Sequence, residues 1–281
     1  GMAMKNILKI MLMMITIFTI AGSAVYAAEI PVSDQDQLIT SNDWTEISNL
    51  QDEMKKEEPD ATIDYDKALK VYVDCNLIKL QTADTKKLTS ALESANYVWV
   101  IPFKMEKTYG MFTVAKGLPL REEAKSVLTK AEQEEVKNHA GKWMITEIAE
   151  HTVEPYYDIL LEKREALSDC TRVVLVGSQP GMRQPVALGM DDETARIWIS
   201  LGYQYPVMEK IPETQNVESG VYSFDSVAEI SDTYIEDSEV STGAGVQSRS
   251  SMKYVAGIGI VLIGSILILS VLKKKKIKSE D

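Results

Sequence analysis

Residues 254–272, about 19 nearly uninterrupted apolar side chains, run straight into Lys273, Lys274, Lys275 and Lys276. As a helix this run reaches roughly 28 Å, close to the hydrocarbon thickness of a bilayer. A lysine at the bilayer centre costs about 2.5–3.5 kcal/mol on insertion scales, and basic flanks stay on the cytoplasmic side. The sequence therefore predicts a transmembrane helix over 254–272 and a basic cytoplasmic tail over 273–281. Everything before the helix is expected outside, with the membrane as one partner through that helix.

At the other end, Lys5 and Lys9 precede the apolar run 10–21, which is short for a span. Val25, Tyr26 and Ala27 then place small residues where a signal peptidase reads, so 1–27 is expected as a signal peptide cleaved after Ala27, with an uncleaved anchor as the alternative. The segment between the two membrane elements holds about 40 acidic and about 23 basic residues, a net charge near −17 against −12 for the whole chain. Such a surface repels polyanions, and no nucleic-acid partner is expected.

Asn-x-Ser/Thr is absent from that segment, which points to a bacterial surface rather than a glycosylated eukaryotic one. In layout alone the chain resembles bacterial surface proteins built of signal peptide, outer domain, stalk and anchor. The wall-sorting pentapeptide of Gram-positive surface proteins begins Leu-Pro and ends Thr-Gly. Glu239, Val240, Ser241, Thr242 and Gly243 keep only its last two residues, so covalent wall attachment is not implied. The expected address is the cell membrane of a Gram-positive bacterium, N-terminal domain extracellular and C-terminus cytoplasmic.

Between these ends the pattern is that of an α+β domain. Residues 28–43 lack apolar period and are expected as a flexible arm, and 44–201 as the folded domain. Residues 202–253, rich in Ser, Thr, Asp and Glu, are expected as an acidic stalk. Within the domain, 44–54 reads as one amphipathic helix capped by Asn42 or Asp43. Residues 68–73 read as a strand, and a helix capped by Asp84 carries Leu88, Ala91, Leu92 and Ala95. Residues 97–115 then read as a hairpin whose first strand is apolar on both sides. Helices follow at 120–128 and from Thr129, which forms a capping-box pair with Glu132.

A strand at 143–149, a helix opened by Pro155, a hairpin over 172–190 and a strand at 194–200 complete the domain. Strand, helix and hairpin thus occur twice at an offset of about 75 residues, a candidate duplication. The fold expected is a largely antiparallel sheet with packed helices on one or both faces.

Chemistry is sparse. His139 and His151 form no ligand-like pair, and Cys75 and Cys170 have no metal-binding neighbours at usual spacing, so no metal, cofactor or catalytic residue is assigned. The run from Gly177 to Gly181 matches neither a nucleophile elbow nor a phosphate loop and reads as a turn. Asp64 with Asp66, and Asp191 with Asp192 and Glu193, lack calcium-loop spacing. Trp99, Trp143 and Trp198 read as core residues, a carbohydrate platform being the sharper alternative.

In an exterior compartment the two cysteines are expected to pair, closing a loop of about 95 residues. The function expected is a non-enzymatic binding, sensing or assembly module with an envelope protein or ligand as partner. The alternative is a carboxylate-based envelope hydrolase whose acids converge only on folding.

Overall fold

Tyr97, Trp99, Ile101 and Phe103 alternate with Val98 and Val100, and a strand apolar on both sides belongs inside a sheet. It lies there in the computed structural model, which describes residues 30–151, 154–177 and 179–238. The strands are β1 (Thr62–Ile63), β2 (Leu69–Tyr72), β3 (Tyr97–Lys104), β4 (Tyr109–Lys116), β5 (Trp143–His151), β6 (Arg172–Val176), β7 (Val186–Met190), β8 (Ala195–Ser200), β9 (Asn216–Glu218) and β10 (Val221–Ser223). They form one sheet in the order β5-β4-β3-β2-β6-β7-β8-β10-β9, with β1 against the far end of β3.

The protein is α+β with a mixed sheet. Among the described strands only the β2–β6 ladder is parallel, Val71 facing Leu175 and Tyr72 facing Val176. Two antiparallel halves therefore meet along one short parallel seam.

Register sorts the side chains onto two faces. Lys70 opposes Trp99 and Tyr72 opposes Tyr97 across β2–β3, while Tyr72 aligns with Val176 across the seam. Leu188 pairs with both Val174 and Trp198, so Trp99, Lys70, Tyr72, Leu188 and Trp198 share the first face. The second face holds Leu69, Val71, Val100, Leu175, Ala187 and Ile199.

Helices cover both faces. On the first lie α1 (Trp44–Ile47) and α2 (Gln51–Glu57) through Ile47 and Met54, and α3 (Thr85–Glu93) through Leu88 and Leu92. Two short helices, α4 (Glu122–Lys125) and α5 (Lys130–His139), link β4 to β5. On the second face, α6 (Tyr156–Glu162) packs through Tyr156 and Leu160. The last two, α7 (Pro206–Glu209) and α8 (Phe224–Ser238), return to the first face through Val207, Met208, Phe224 and Val227.

Local signals hold where they are strongest. Asp84 accepts a hydrogen bond from the Lys87 amide at the start of α3, and Thr129 and Glu132 form the reciprocal capping box of α5. Both hairpins stand at β3–β4 and β6–β7. The helix expected over 44–54 is broken by a 3-10 turn at Ser48–Leu50 and runs on to Glu57, and that at 120–128 shrinks to α4.

The candidate duplication is not seen in the pairing. β2 lies beside its own hairpin, whereas β5 sits at the outer edge against β4, away from β6 and β7. The two units share an order of elements, and their strands pair differently.

Two domain boundaries need correction. The described part of the expected flexible arm is packed: Ile30, Asp36 and Leu38 are all buried. The expected stalk contributes core residues through Tyr205, Val207, Met208, Ile211, Val221, Phe224 and Val227, and the packed body continues into α8. Both segments are polar on average, but each carries a few apolar side chains at the spacing its site needs. The expected signal peptide with Ala27, the remainder of the stalk, the helix at 254–272 and the tail lie outside the described residues. Among the described residues no helix is long and apolar enough to cross a membrane.

Candidate functional site

At the seam the two central strands do not pair along their whole length. Below Val71 the neighbour of β2 is the N-terminal segment: the Leu38 amide donates to the Ala68 carbonyl (3.1 Å) and the Lys70 amide to the Asp36 carbonyl (3.0 Å). On the other side, the Val173 amide of β6 donates to the Pro31 carbonyl (2.7 Å). Residues 31–38 thus wedge between β2 and β6 at the end where these strands begin. Ile30 enters the core of the second face, and Leu38 enters the core of the first.

Asp36 is carried into this wedge at 2% exposure, and charge gathers around it. Arg172 Nη2 donates to Asp36 Oδ2 (3.0 Å), and Ser33 Oγ donates to the same oxygen (2.7 Å). The Tyr72 hydroxyl donates to Oδ1 (2.7 Å) and accepts from Arg172 Nη2 (3.3 Å). Lys70 Nζ lies 3.9 Å from Oδ1 and 4.4 Å from the centre of the Tyr97 ring, with the Tyr72 and Trp99 rings at 5.7 and 5.3 Å.

A second carboxylate, Asp43, accepts from the Tyr97 hydroxyl (2.8 Å) and Trp99 Nε1 (3.0 Å). That use of its side chain explains why Asp43 makes no cap at α1. Burial pulls the Lys70 ammonium below its ordinary value, and the nearby Asp36 and Asp43 charges oppose the shift. Burial first, and Asp36 second, push the Tyr72 hydroxyl far above its own.

In chemical terms the carboxylate at its centre is nearly saturated. Asp36 already accepts three hydrogen bonds, from Arg172, Ser33 and Tyr72, which occupy most of its lone pairs. Arg172 Nε is buried without a hydrogen-bond partner, and Lys70 Nζ holds only its 3.9 Å ion pair and the aromatic rings around it.

The cysteines do not pair. Cys75 follows β2 and packs against the core of the first face, whereas Cys170 precedes β6 and lies in the core of the second. The sheet stands between them. They also lie at opposite ends of β6, since the Cys75 carbonyl accepts from Gln179 Nε2, a separation of roughly 20 Å along the strand. A disulfide needs Cβ atoms within about 4.5 Å. Burial pushes both thiols up to about 11, so they are poor nucleophiles at neutral pH.

Other sequence candidates are dispersed. His139 ends α5 with Nδ1 2.9 Å from the Glu135 carbonyl, and His151 ends β5 opposite Tyr109. Gln179 clamps the turn after β6 onto the chain after β2, accepting from the Leu77 amide. Asp191 receives the amides of Glu193 and Thr194 in a turn, and Asp64 precedes a short 3-10 turn that contains Asp66. Trp99, Trp143 and Trp198 are buried at 0%, 7% and 0%, which removes the platform reading. Among the described residues no group of three potential metal ligands occurs.

Two features escaped the sequence. A β-bulge in β5 shifts the register so that Glu147 opposes Thr113 on the second face, and burial raises its carboxyl above the ordinary range. The Tyr156 and Tyr203 hydroxyls, 2.8 Å apart, lie within its electrostatic reach. The other is a cleft of about 430 Å³ between residues 78–83 and α8, with Ile78, Ala83, Phe224 and Ala228 in its walls and Asp225 and Glu229 exposed along it. Alternation could have hinted at Glu147 only with the bulge known, and the cleft depends on how α8 docks.

No family model, curated protein or solved structure matches the chain.

Proposed function

We infer that this chain is a single-pass protein of a Gram-positive cell membrane. Residues 1–27 are removed after Ala27, 254–272 span the bilayer, 273–281 stay inside, and the α+β body faces outward as a non-enzymatic binding, sensing or assembly module. One observation carries the non-enzymatic part: the buried Asp36 and the half-buried Asp43 are engaged by Arg172, Tyr72, Tyr97 and Trp99 at the seam, rather than turned towards the cleft beside α8. The apolar run with its lysine flank supports the address.

A second reading, an envelope hydrolase, draws on Glu147, whose carboxyl favours the protonated form beside a tyrosine pair. Sugar hydrolysis needs a second carboxyl about 5–10 Å away.

Affinity capture from the native envelope, using the full chain with a C-terminal tag, tests the first reading. A retained envelope protein or ligand supports it. Turnover of an envelope substrate that is abolished by Glu147→Gln, with nothing retained, would establish the second instead. Protease added to intact cells should remove the body and spare the C-terminal tag.

A further inference from the structure

Phe224 and Val227 dock α8 onto the first face, where the Phe224 ring stacks on Trp198 with 13° between the planes. Between the docked helix and residues 78–83 lies the cleft of about 430 Å³. Ile78 and Ala83 on one side, with Phe224 and Ala228 on the other, give it apolar walls. Leu80, on the same turn as Ile78, is 46% exposed, so a further large apolar side chain stands uncovered there. Gln81 and Thr82 add neutral polar groups to the wall opposite α8.

Charge at this cleft is of one sign. Asp225 and Glu229 line it, both exposed and about one helical turn apart, and no lysine or arginine is among its lining residues. Among the described residues neither acid has an ion-pair partner. Like charges spaced i,i+4 repel along a helix face. The helix dipole offsets this for Asp225, which stands in the first turn of α8, but Glu229 lies beyond that turn. The cleft therefore joins apolar walls to an uncompensated negative rim.

We propose that this cleft is the docking site for a basic segment of a partner protein, which sets an apolar side chain between Ile78 and Phe224 and a lysine or arginine against Asp225 and Glu229. Charge complementarity selects the occupant. An acidic segment would add to the repulsion along α8, and a neutral one would leave both acids uncompensated. The acidic outer segment as a whole steers basic partners towards it. The proposal rests on the binding-module reading above and gives the chemistry of its partner. An occupant here also bridges residues 78–83 to α8, the helix that leads towards residues 254–272.

The full-length chain, isotope-labelled at isoleucine and alanine methyls, is titrated in phosphatidylcholine nanodiscs with an acetylated, amidated tetrapeptide of alternating leucine and lysine. Methyl resonances of Ile78, Ala83 and Ala228 should shift with a Kd on the order of 1 mM, while those of Ala187 and Ile199, buried in the second-face core, stay in place. Combining Asp225→Asn with Glu229→Gln changes two exposed side chains and should weaken binding at least about fivefold. Tetrapeptides with glutamate in place of lysine, or glycine in place of leucine, should also bind at least about fivefold more weakly than the parent.

No shift at those three methyls up to about 10 mM peptide overturns the proposal, and so does equal binding by the paired variant or by either control peptide. Envelope capture separates this site from the reading beneath it. A partner held equally by the wild type and the paired variant overturns the site and leaves the binding module standing. An empty capture, with the tetrapeptide bound as expected, tells against an envelope partner and upholds the chemistry of the cleft.

Discussion

The two faces of the sheet cross the seam by different physics. On the second face the core is continuous: Leu69, Val71 and Val100 from one half pack with Val173, Leu175, Ala187 and Ile199 from the other. On the first face the apolar residues fall into two clusters, Trp99 and Phe112 in one and Leu188 and Trp198 in the other, with Tyr97 packed against both. Lys70, Tyr72, Asp36 and Arg172 fill the gap between them.

Apolar burial is favourable but unspecific about register, and a one-residue slip along a strand would exchange the faces. A carboxylate fixed between two cations is costly to bury and intolerant of displacement. The difference assigns cohesion across the seam to the second face and alignment to the first.

The largest effect should come from breaking the polar side. Asp36→Ala leaves Lys70 and Arg172 partly buried with no carboxylate between them, and denaturant unfolding should show a loss of about 3–5 kcal/mol. Limited proteolysis should then cut first within residues 30–43. On the second face, Leu175→Ala should cost about 2–4 kcal/mol by cavity formation. The distinguishing expectation is that Leu175→Ala lowers the unfolding midpoint without early cleavage of that segment. Early release in both variants would erase the proposed division of labour.

A smaller effect belongs to Glu147 on the second face. Its folded carboxyl binds the proton more tightly than the unfolded one, so its contribution is neutral in acid and grows destabilising as pH rises through the raised folded value. Glu147→Gln should therefore melt like the wild type in acid and a few degrees higher at neutral pH. A stability difference that shrinks as pH rises would have the wrong sign. The smallest effect is a null one: reductant should leave the melting midpoint unchanged, because Cys75 and Cys170 are separated by the sheet. A drop of several degrees would reveal a bridge.

Much of the fold was legible where local chemistry and tertiary packing agree. The double-sided strand β3, the two hairpins, the cap at Asp84 and the box at Thr129 all follow from side chains within a few residues of each other. What escaped was non-local. Residues 30–38 have no period because each side chain answers to a different neighbour: Ile30 to the second-face core, Asp36 to Arg172 at a distance of 136 residues, Leu38 to the first-face core.

Asp43 reads as a cap and instead accepts from Tyr97 and Trp99. The tail of the body reads as a stalk because its apolar residues are sparse, yet Phe224 stacks on Trp198 with ring centres 5.8 Å apart. The cysteine pairing failed for a similar reason, since compartment says whether thiols can be oxidised and topology alone says whether they meet.

Alignment by the buried charges is the central claim, and a double-mutant cycle between Asp36 and Arg172 tests it most directly. Unfolding free energies of the wild type, Asp36→Ala, Arg172→Ala and the double variant give the pairwise coupling free of each side chain's other contacts. The prediction is a coupling of about 1.5–3 kcal/mol, with the double variant little worse than Asp36→Ala alone. A coupling below about 0.3 kcal/mol, the two losses simply adding, would contradict it and leave the seam held by apolar packing alone.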